Sequence, residues 1–199
     1  MIYLYGAGGH AKVIADILER CGTPIGGFFD QDSSKQIWNY PCFSFPGPFN
    51  FLEDELIISI GDNTIRKKIA YANNVKYFTA IHPGSIISSH SFIGKGCVVM
   101  GGSLINADTV IGNHCIINSC ASVDHDCVIG DFAHISPNAT LCGGITVGDG
   151  VHIGAGATIL PGKKIGANTI IGAGSVVNSD ICESVVAVGN PVRIIKQIK

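Results

Sequence analysis

From Ile81 to Val177 every sixth residue is aliphatic, seventeen times in succession and without a slip. The series runs Ile81, Ile87, Ile93, Val99, Ile105, Ile111, Ile117, Val123 and Ile129, then on through Ile135, Leu141, Val147, Ile153, Ile159, Ile165 and Ile171 to Val177. A period of six is neither the 3.6 of a helix nor the 2 of a lone strand. It describes a short flat strand, then a turn, repeated. Four residues after most of these aliphatics stands a small side chain, as at Cys97, Ser103, Thr109, Cys115, Ala121, Cys127, Ala133 and Ala139. Both positions predict a narrow apolar interior, with Gly and Asn supplying the turns. Each coil then pairs with the next at about 4.8 Å, which makes a quasi-one-dimensional solenoid.

Composition narrows the classes. Apolar residues make up 46% and the net charge is only −2, which excludes a disordered chain. Thirteen basic residues against fifteen acidic leave no nucleic-acid footprint. No run approaches the ~18 apolar residues of a membrane span. Met1 to Tyr5 has no basic leader and runs straight into Gly6-Ala7-Gly8-Gly9, so a cytoplasmic protein is expected. The eight cysteines form no C-x-x-C pair, and most fall inside the repeat, so reduced packing thiols are expected.

The repeat resembles that of the hexapeptide-repeat transferases, over residues 81–182. The resemblance implies a left-handed parallel β-helix with three hexads per coil, nearly six coils in all. Residues 18 apart would then stack, Cys97 over Cys115 and His134 over His152. Lys163 occupies a small-residue slot, and an unpaired inward lysine is expensive, so it is expected to escape to the surface or to a ligand phosphate. The segment from Val188 to Arg193 also looks like the ending of that family. The tail beyond it carries Arg193, Lys196 and Lys199, a candidate contact for the phosphates of coenzyme A.

Residues 1–80 lack the hexad and read as a separate Rossmann-like α/β domain, with the β-helix and tail spanning 81–199. A buried strand Ile2–Tyr5 ends in Gly6-Ala7-Gly8-Gly9-His10-Ala11. A helix follows, with Val13, Ile14, Ile17 and Leu18 on one face. Strands Ile25–Phe29 and Leu56–Ile60, a helix Thr64–Ala72 and a strand Val75–Thr79 complete the domain. Alternating strands and helices predict a parallel sheet with ligands at the strand carboxyl ends. Gly6-x-Gly8-x-x-Ala11 fits the dinucleotide fingerprint in its Gly/Ala form, and Asp30 closes the second strand where a ribose-binding acid belongs. At about eighty residues the domain suits a mononucleotide-sized ligand. The N–H groups of Gly8, Gly9 and His10 would face a diphosphate.

Taken together, Tyr5–Ile14, Phe29-Asp30 and Ile60-Gly61-Asp62-Asn63 followed by Arg66, ahead of a hexapeptide helix, resemble the sialic acid O-acetyltransferase family. That family includes N-acetyltransferases of nucleotide-linked 4-amino-sugars, and the bacillosamine-pathway branch is the nearest likeness. The resemblance implies a UDP-linked amino sugar on the N-terminal domain, acetyl-CoA on the β-helix, no metal, and a homotrimer with active sites shared between neighbours. It implies sugar contacts at Gly8, Gly9, His10, Asp30 and Gly61. It implies a general base at His125, oriented by Asp126, where the relative compared has the longer Glu. It implies acetyl-CoA contacts at His134, at Gly143 through its N–H, and along Ala155 and Ala173, with Asn118 reaching a neighbour's site. Histidine suits the base because its ordinary pKa lies near 6.5.

Other readings compete. A metal-binding β-helix of the γ-carbonic-anhydrase kind needs histidines five apart, and none are. A Cys127 nucleophile would sit in an inward slot. O-acetylation of sialic acid calls for the same base, and a non-catalytic nucleotide-sugar-binding protein would keep only the N-terminal pocket.

Overall fold

The computed structural model describes residues 1–198. Three parallel strands, β1 (Ile2–Tyr5), β2 (Ile25–Phe29) and β4 (Glu55–Ile58), and a two-residue edge strand β3 (Cys42–Phe43) form one sheet in the order β3-β2-β1-β4. Helix α1 (Gly9–Arg20) follows β1, and α2 (Asn63–Ala72) follows β4. Leu4, Phe28 and Ile57 face α1, whose Ala11, Ile14, Ala15, Ile17 and Leu18 are buried against them. The other sheet face, Tyr3, Phe29 and Leu56, is covered by Phe43, Phe45 and Phe49.

That cover comes from the Pro- and aromatic-rich stretch 38–51, which carries strand β3. Tyr3 and Phe29 stack at 5.2 Å, and Phe45 meets Phe29 edge-on at 5.1 Å. Such pairs contribute about 0.5–1.5 kcal/mol beyond area burial. The expected third strand starts one residue earlier and ends two earlier, at Ile58, and the expected strand Val75–Thr79 is absent. Only a single parallel bridge, Leu56 to Tyr77, forms there. The chain is already turning into the solenoid, and Thr79 Oγ1 bonds Gly94 O at 2.9 Å.

Seventeen two-residue strands follow, from Ala80–Ile81 to Val176–Val177. The first begins one residue before the expected boundary. All of them pair in parallel 18 residues apart, for example Val110 with Val128 and His134 with His152, in three separate sheets. The chain therefore visits one sheet per hexad. The repeated aliphatics from Val99 to Val177 are buried, each fully buried one contributing about 2 kcal/mol. Cys97, Cys115, Ala121, Cys127, Ala133 and Ala139 line the same core. The buried hydroxyls in that column are satisfied by backbone: Thr109 Oγ1 donates to Asp124 O at 2.6 Å, Thr169 Oγ1 to Cys182 O at 2.8 Å.

From Gly96 to Gly174 each corner places one residue at positive φ, again with period six: Gly96, Gly102, Asp108, His114, Cys120, Asp126, Phe132 and Asn138 among them. Asp and Asn tolerate this conformation, whereas His, Cys and Phe are held there by the coil. Cys97 and Cys115 do stack: Cys115 N donates to Cys97 Sγ at 3.3 Å. All eight thiols are free. The end of the chain is ordered as an antiparallel hairpin, Val185–Val188 with Arg193–Gln197, laid on the last strand of one sheet. Arg193 and Lys196 are exposed on it, and Lys199 lies outside the described residues. Lys163 is half-buried at a corner.

The two parts share one core. Ile2, Leu4, Ile14 and Leu18 pack with Ala80, Val98, Met100 and Ile116 of the solenoid. The N-terminal domain thus sits on one outer sheet of the solenoid, the sheet whose outward column continues through His134 and His152.

Candidate active site

The strand carboxyl ends build the first half of the site. Gly6 needs to be glycine: its φ is +112°, and a Cβ there would meet Ile60 Cγ1 at 2.8 Å. Its carbonyl is tied by Ser59 Oγ at 2.6 Å. Gly8 and Gly9 are open, with nothing within 4 Å of an added Cβ. No side chain caps the α1 N-terminus, and no acid lies in its first turn. The orphan N–H groups there, with the helix dipole, favour an anion.

Asp30 pins this loop rather than standing free. Its Oδ2 accepts from Ala7 N–H at 2.9 Å, and its Oδ1 accepts from Asp32 N–H at 3.1 Å and Lys35 Nζ at 2.9 Å. Those contacts outweigh its partial burial and hold its carboxyl below the usual range. Gly6 to His10, Asp30, Lys35, Ser59 and Gly61 together enclose a cleft of about 320 Å³. Four of the residues singled out in the sequence for the sugar side meet there with the fifth, Asp30.

Gly61 also borders a second cleft of about 420 Å³, whose far wall is His134 and His152. These two rings stack at 4.8 Å. Asn118 Nδ2 lies 3.0 Å from His134 Nε2, and Ser136 Oγ lies 2.9 Å from His152 Nε2. Within one chain, then, Asn118 orients His134. Burial pushes His134 down to about 3, helped by His152 and Arg66, and pushes His10 down to about 4. Burial lowers His152 as well. All three rings are neutral at pH 7 and act as hydrogen-bonding groups, not cations. His10 Nε2 and His134 Nδ1 are buried without a hydrogen-bond partner among the described residues.

The second half lies elsewhere. His125 and Asp126 occupy the corner between the strands Ser122–Val123 and Val128–Ile129. Asp126 has φ 56°, the left-handed corner position. That turn brings its short side chain back on to the preceding ring: His125 Nδ1 and Asp126 Oδ2 are 2.6 Å apart. The shorter Asp therefore makes the contact. The ring is exposed, and its pKa is raised by the Asp126 hydrogen bond first and the Asp124 charge second. One coil on, Gly143 packs under the ring. A Cβ on Gly143 would fall 2.6 Å from His125 Nε2. The Gly143 N–H makes no hydrogen bond among the described residues. Ala155 and Ala173 are exposed and stacked 18 residues apart on the preceding corner. Their N–H groups also lack acceptors among the described residues.

Cys127, near His125 in sequence, points inward. Its Sγ lies 3.2 Å from Cys142 O, and burial raises its pKa. That disfavours a thiolate nucleophile. Among the described residues no group of three or more His, Cys, Asp or Glu could hold a metal ion, and no helix is long and apolar enough to cross a membrane.

Residues 1–72 match the PglD N-terminal domain, and residues 126–161 match the bacterial transferase hexapeptide of six repeats. PerB from Caulobacter crescentus, solved with CoA and GDP-perosamine, is 37% identical, covering 98% of this chain and 96% of that one with a TM-score of 0.89. The chain belongs to the PglD-like hexapeptide-repeat sugar N-acetyltransferase family. The acetyltransferase domain of PglB from Neisseria gonorrhoeae, solved with acetyl coenzyme A, is 32% identical over 98% of both chains, TM-score 0.91. WeeI from Acinetobacter baumannii is 27% identical over 98% of this chain and 99% of that one, TM-score 0.90. Uncharacterized protein L142 of Acanthamoeba polyphaga mimivirus is 36% identical over 100 residues, and the match spans 20% of its length.

Sequence reasoning missed His152, Asn63 and the part played by Arg66. His152 was visible as one half of a stacked pair, but nothing signalled the second cleft. Arg66 stands four residues before Ala70, and both are buried on one face of α2. An arginine at a core position of an amphipathic helix was the signal available.

Proposed function

We propose that the protein transfers an acetyl group from acetyl-CoA to the amine of a nucleotide-diphosphate-linked 4-amino-4,6-dideoxy sugar, for glycan biosynthesis. The carrying observation is the His125 corner. An exposed imidazole held by a carboxylate at 2.6 Å faces a backbone with an unengaged N–H one coil away. Acyl transfer needs those two parts: a base for the amine proton and a donor for the oxyanion. His125 Nε2 takes the proton as the amine attacks the thioester carbonyl. Asp126 orients the ring and favours its protonated form. The Gly143 N–H stabilises the oxyanion. When the tetrahedral intermediate collapses, the thiolate of CoA leaves and takes up a proton.

The N-terminal cleft supplies the other substrate's site. The α1 N-terminus at Gly8, Gly9 and His10 receives the diphosphate, and Gly61 borders the sugar. The UDP-sugar expected from the sequence and the GDP-sugar bound to PerB both carry the diphosphate that this cleft suits. Ala155 and Ala173 allow the pantetheine arm to run close to the backbone, and the exposed Arg193 and Lys196 suit its phosphates.

A homotrimer belongs to the proposal. In one chain His125 stands a full sheet and a corner away from His134 and the Gly61 clefts. The sheet beside it presents Phe92, Val110 and Val128 to solvent. A neighbouring copy packed there brings its own nucleotide cleft toward this base.

The test is an acceptor screen with acetyl-CoA, read by product mass, over UDP-, GDP- and dTDP-linked amino sugars and free sialic acid. A mass gain on a nucleotide-linked amine, lost in His125→Ala, is expected. Gain on sialic acid alone would establish the O-acetyl reading. Turnover of none would leave a binding protein.

A further inference from the structure

The most buried charge in the molecule is Arg66, on the first turn of α2, with 1% of its surface exposed. All five of its N–H donors are used. Nε donates to His114 O at 2.8 Å. One Nη donates to Ile60 O and Gly61 O, both at 3.1 Å. The other donates to Asn63 Oδ1 and Phe132 O, both at 2.8 Å. His114 and Phe132 are corner residues on successive coils, and their carbonyls serve no rung of the solenoid ladder. Gly61 borders both clefts, and Ile60 lines the first. One guanidinium therefore ties the Gly61 segment to the solenoid. Asn63 Nδ2 adds bonds to Gly150 O and Val151 O at 3.0 and 3.1 Å.

None of the five acceptors is a carboxylate, and no salt bridge to Arg66 exists among the described residues. Burial lowers its pKa only to about 10, so it stays charged. Carbonyl dipoles solvate the cation but leave its net charge in place. A buried charge acts over a longer range than an exposed one, because solvent screens it less. Its field reaches the cleft walls: it contributes, after burial, to the lowered pKa of His10, His134 and His152.

We infer that Arg66 is a positioning residue of the nucleotide-sugar site, fixing the Gly61 segment on the solenoid and supplying the uncompensated positive charge that a diphosphate answers. The inference rests on the function proposed above. It explains why an arginine is retained where an apolar residue would bury at lower cost. It also separates the two substrates: the diphosphate feels Arg66, whereas Ala155 and Ala173, on the acetyl-CoA side, make no contact with it.

The experiment measures the calorimetric Kd of UDP, GDP and CoA, with steady-state KM values, for the wild-type protein and for Arg66→Met, Arg66→Lys and Asp62→Asn. Arg66→Met should weaken diphosphate binding about tenfold or more, the scale of one unit charge acting over about a nanometre at an effective dielectric of about 20. CoA affinity should hold within about twofold. Arg66→Lys should fall between, since it keeps the charge but cannot reach five acceptors. Asp62→Asn retains the α2 cap while removing a carboxylate whose charge acts on Arg66, and should tighten diphosphate binding. A folded Arg66→Met with unchanged diphosphate affinity, or with CoA affinity falling equally, overturns the inference. Should Arg66→Met fail to fold, an unchanged diphosphate affinity in Asp62→Asn overturns it. A wild-type protein that binds neither UDP nor GDP would refute the proposed function first, and this inference with it.

Discussion

Gly143→Ala separates the base from the oxyanion donor. The added methyl would stand 2.6 Å from His125 Cε1 and Nε2, and 3.2 Å from Nδ1. Ordinary contact begins near 3.4 Å, so the ring must retreat by about 0.8 Å. Nothing in the backbone opposes alanine, since the left-handed corner residue is Gly144 at φ 70°. The 143 N–H survives the change. The ring is exposed and can shift toward solvent, its Asp126 partner being exposed as well, so stability should change by less than about 0.5 kcal/mol. The chemistry is less tolerant: displacing a reacting group by about 1 Å costs on the order of 10²-fold. The expected result is a kcat lowered about 10²-fold at saturating acetyl-CoA and sugar, with KM for acetyl-CoA within about threefold. Stopped-time product chromatography with a thermal melt on the same sample reads both quantities. A folded variant with kcat within about threefold of wild type would refute the placement of His125 over Gly143 as the reacting geometry.

The remaining expectations concern the same corner and its assembly. His125→Ala should lower kcat by roughly 10²–10⁴-fold while calorimetric binding of acetyl-CoA persists. In Asp126→Asn the carboxylate that favours protonated His125 is gone, so the acid limb of kcat/KM should move to lower pH, with a smaller loss of kcat than in His125→Ala; an unmoved limb would assign it to another group. Cys127→Ala should keep kcat within about twofold and cost about 1 kcal/mol in a denaturant titration, as a small core truncation does; loss of all turnover in a folded protein would revive a covalent route. Size-exclusion with light scattering should give three times the chain mass, and a monomer with full activity would remove the shared site.

What the sequence disclosed follows from which interactions are local. The solenoid was legible because its interior admits one aliphatic per hexad, so Ile105 or Val147 reports the fold by position alone. His125 and Asp126 were legible as adjacent residues, and the corner geometry that joins them also repeats every six. Strand β3 was not legible: Cys42–Phe43 is two residues long, and only pairing with Phe28–Phe29 defines it. Val75–Thr79 read as a strand, but its backbone pairs with β4 only at Leu56, through Lys76 and Phe78, before the chain enters the first coil. Arg66 was visible as a letter in a motif. Its role depends on two corner carbonyls 48 and 66 residues away, which no local pattern encodes.

The distribution of charge across the chain gives the two domains different tasks. The N-terminal clefts hold three histidines that burial keeps neutral, over a cation with no ion-pair partner among the described residues, at a helix N-terminus with no acid in its first turn. The carboxylates on the cleft walls are engaged, Asp30 by Lys35 and backbone N–H groups and Asp62 as the α2 cap, which leaves the helix N-terminus and Arg66 to select an anion. The His125 corner has the reverse character: an exposed imidazole between Asp124 and Asp126, with its pKa raised, able to take a proton and poorly suited to bind a diphosphate. Binding and proton transfer are thus assigned to surfaces of opposite sign on different sides of one chain. On the function proposed above, a site that needs both is completed by a second chain, and the sign difference would favour that docking. On this argument added salt should weaken the assembled state before it unfolds the solenoid, because the core of stacked aliphatics carries no charge to screen. Activity that falls with salt in step with trimer dissociation, while the melt stays unchanged, would meet that expectation; activity lost at constant trimer would place the salt effect on diphosphate binding instead.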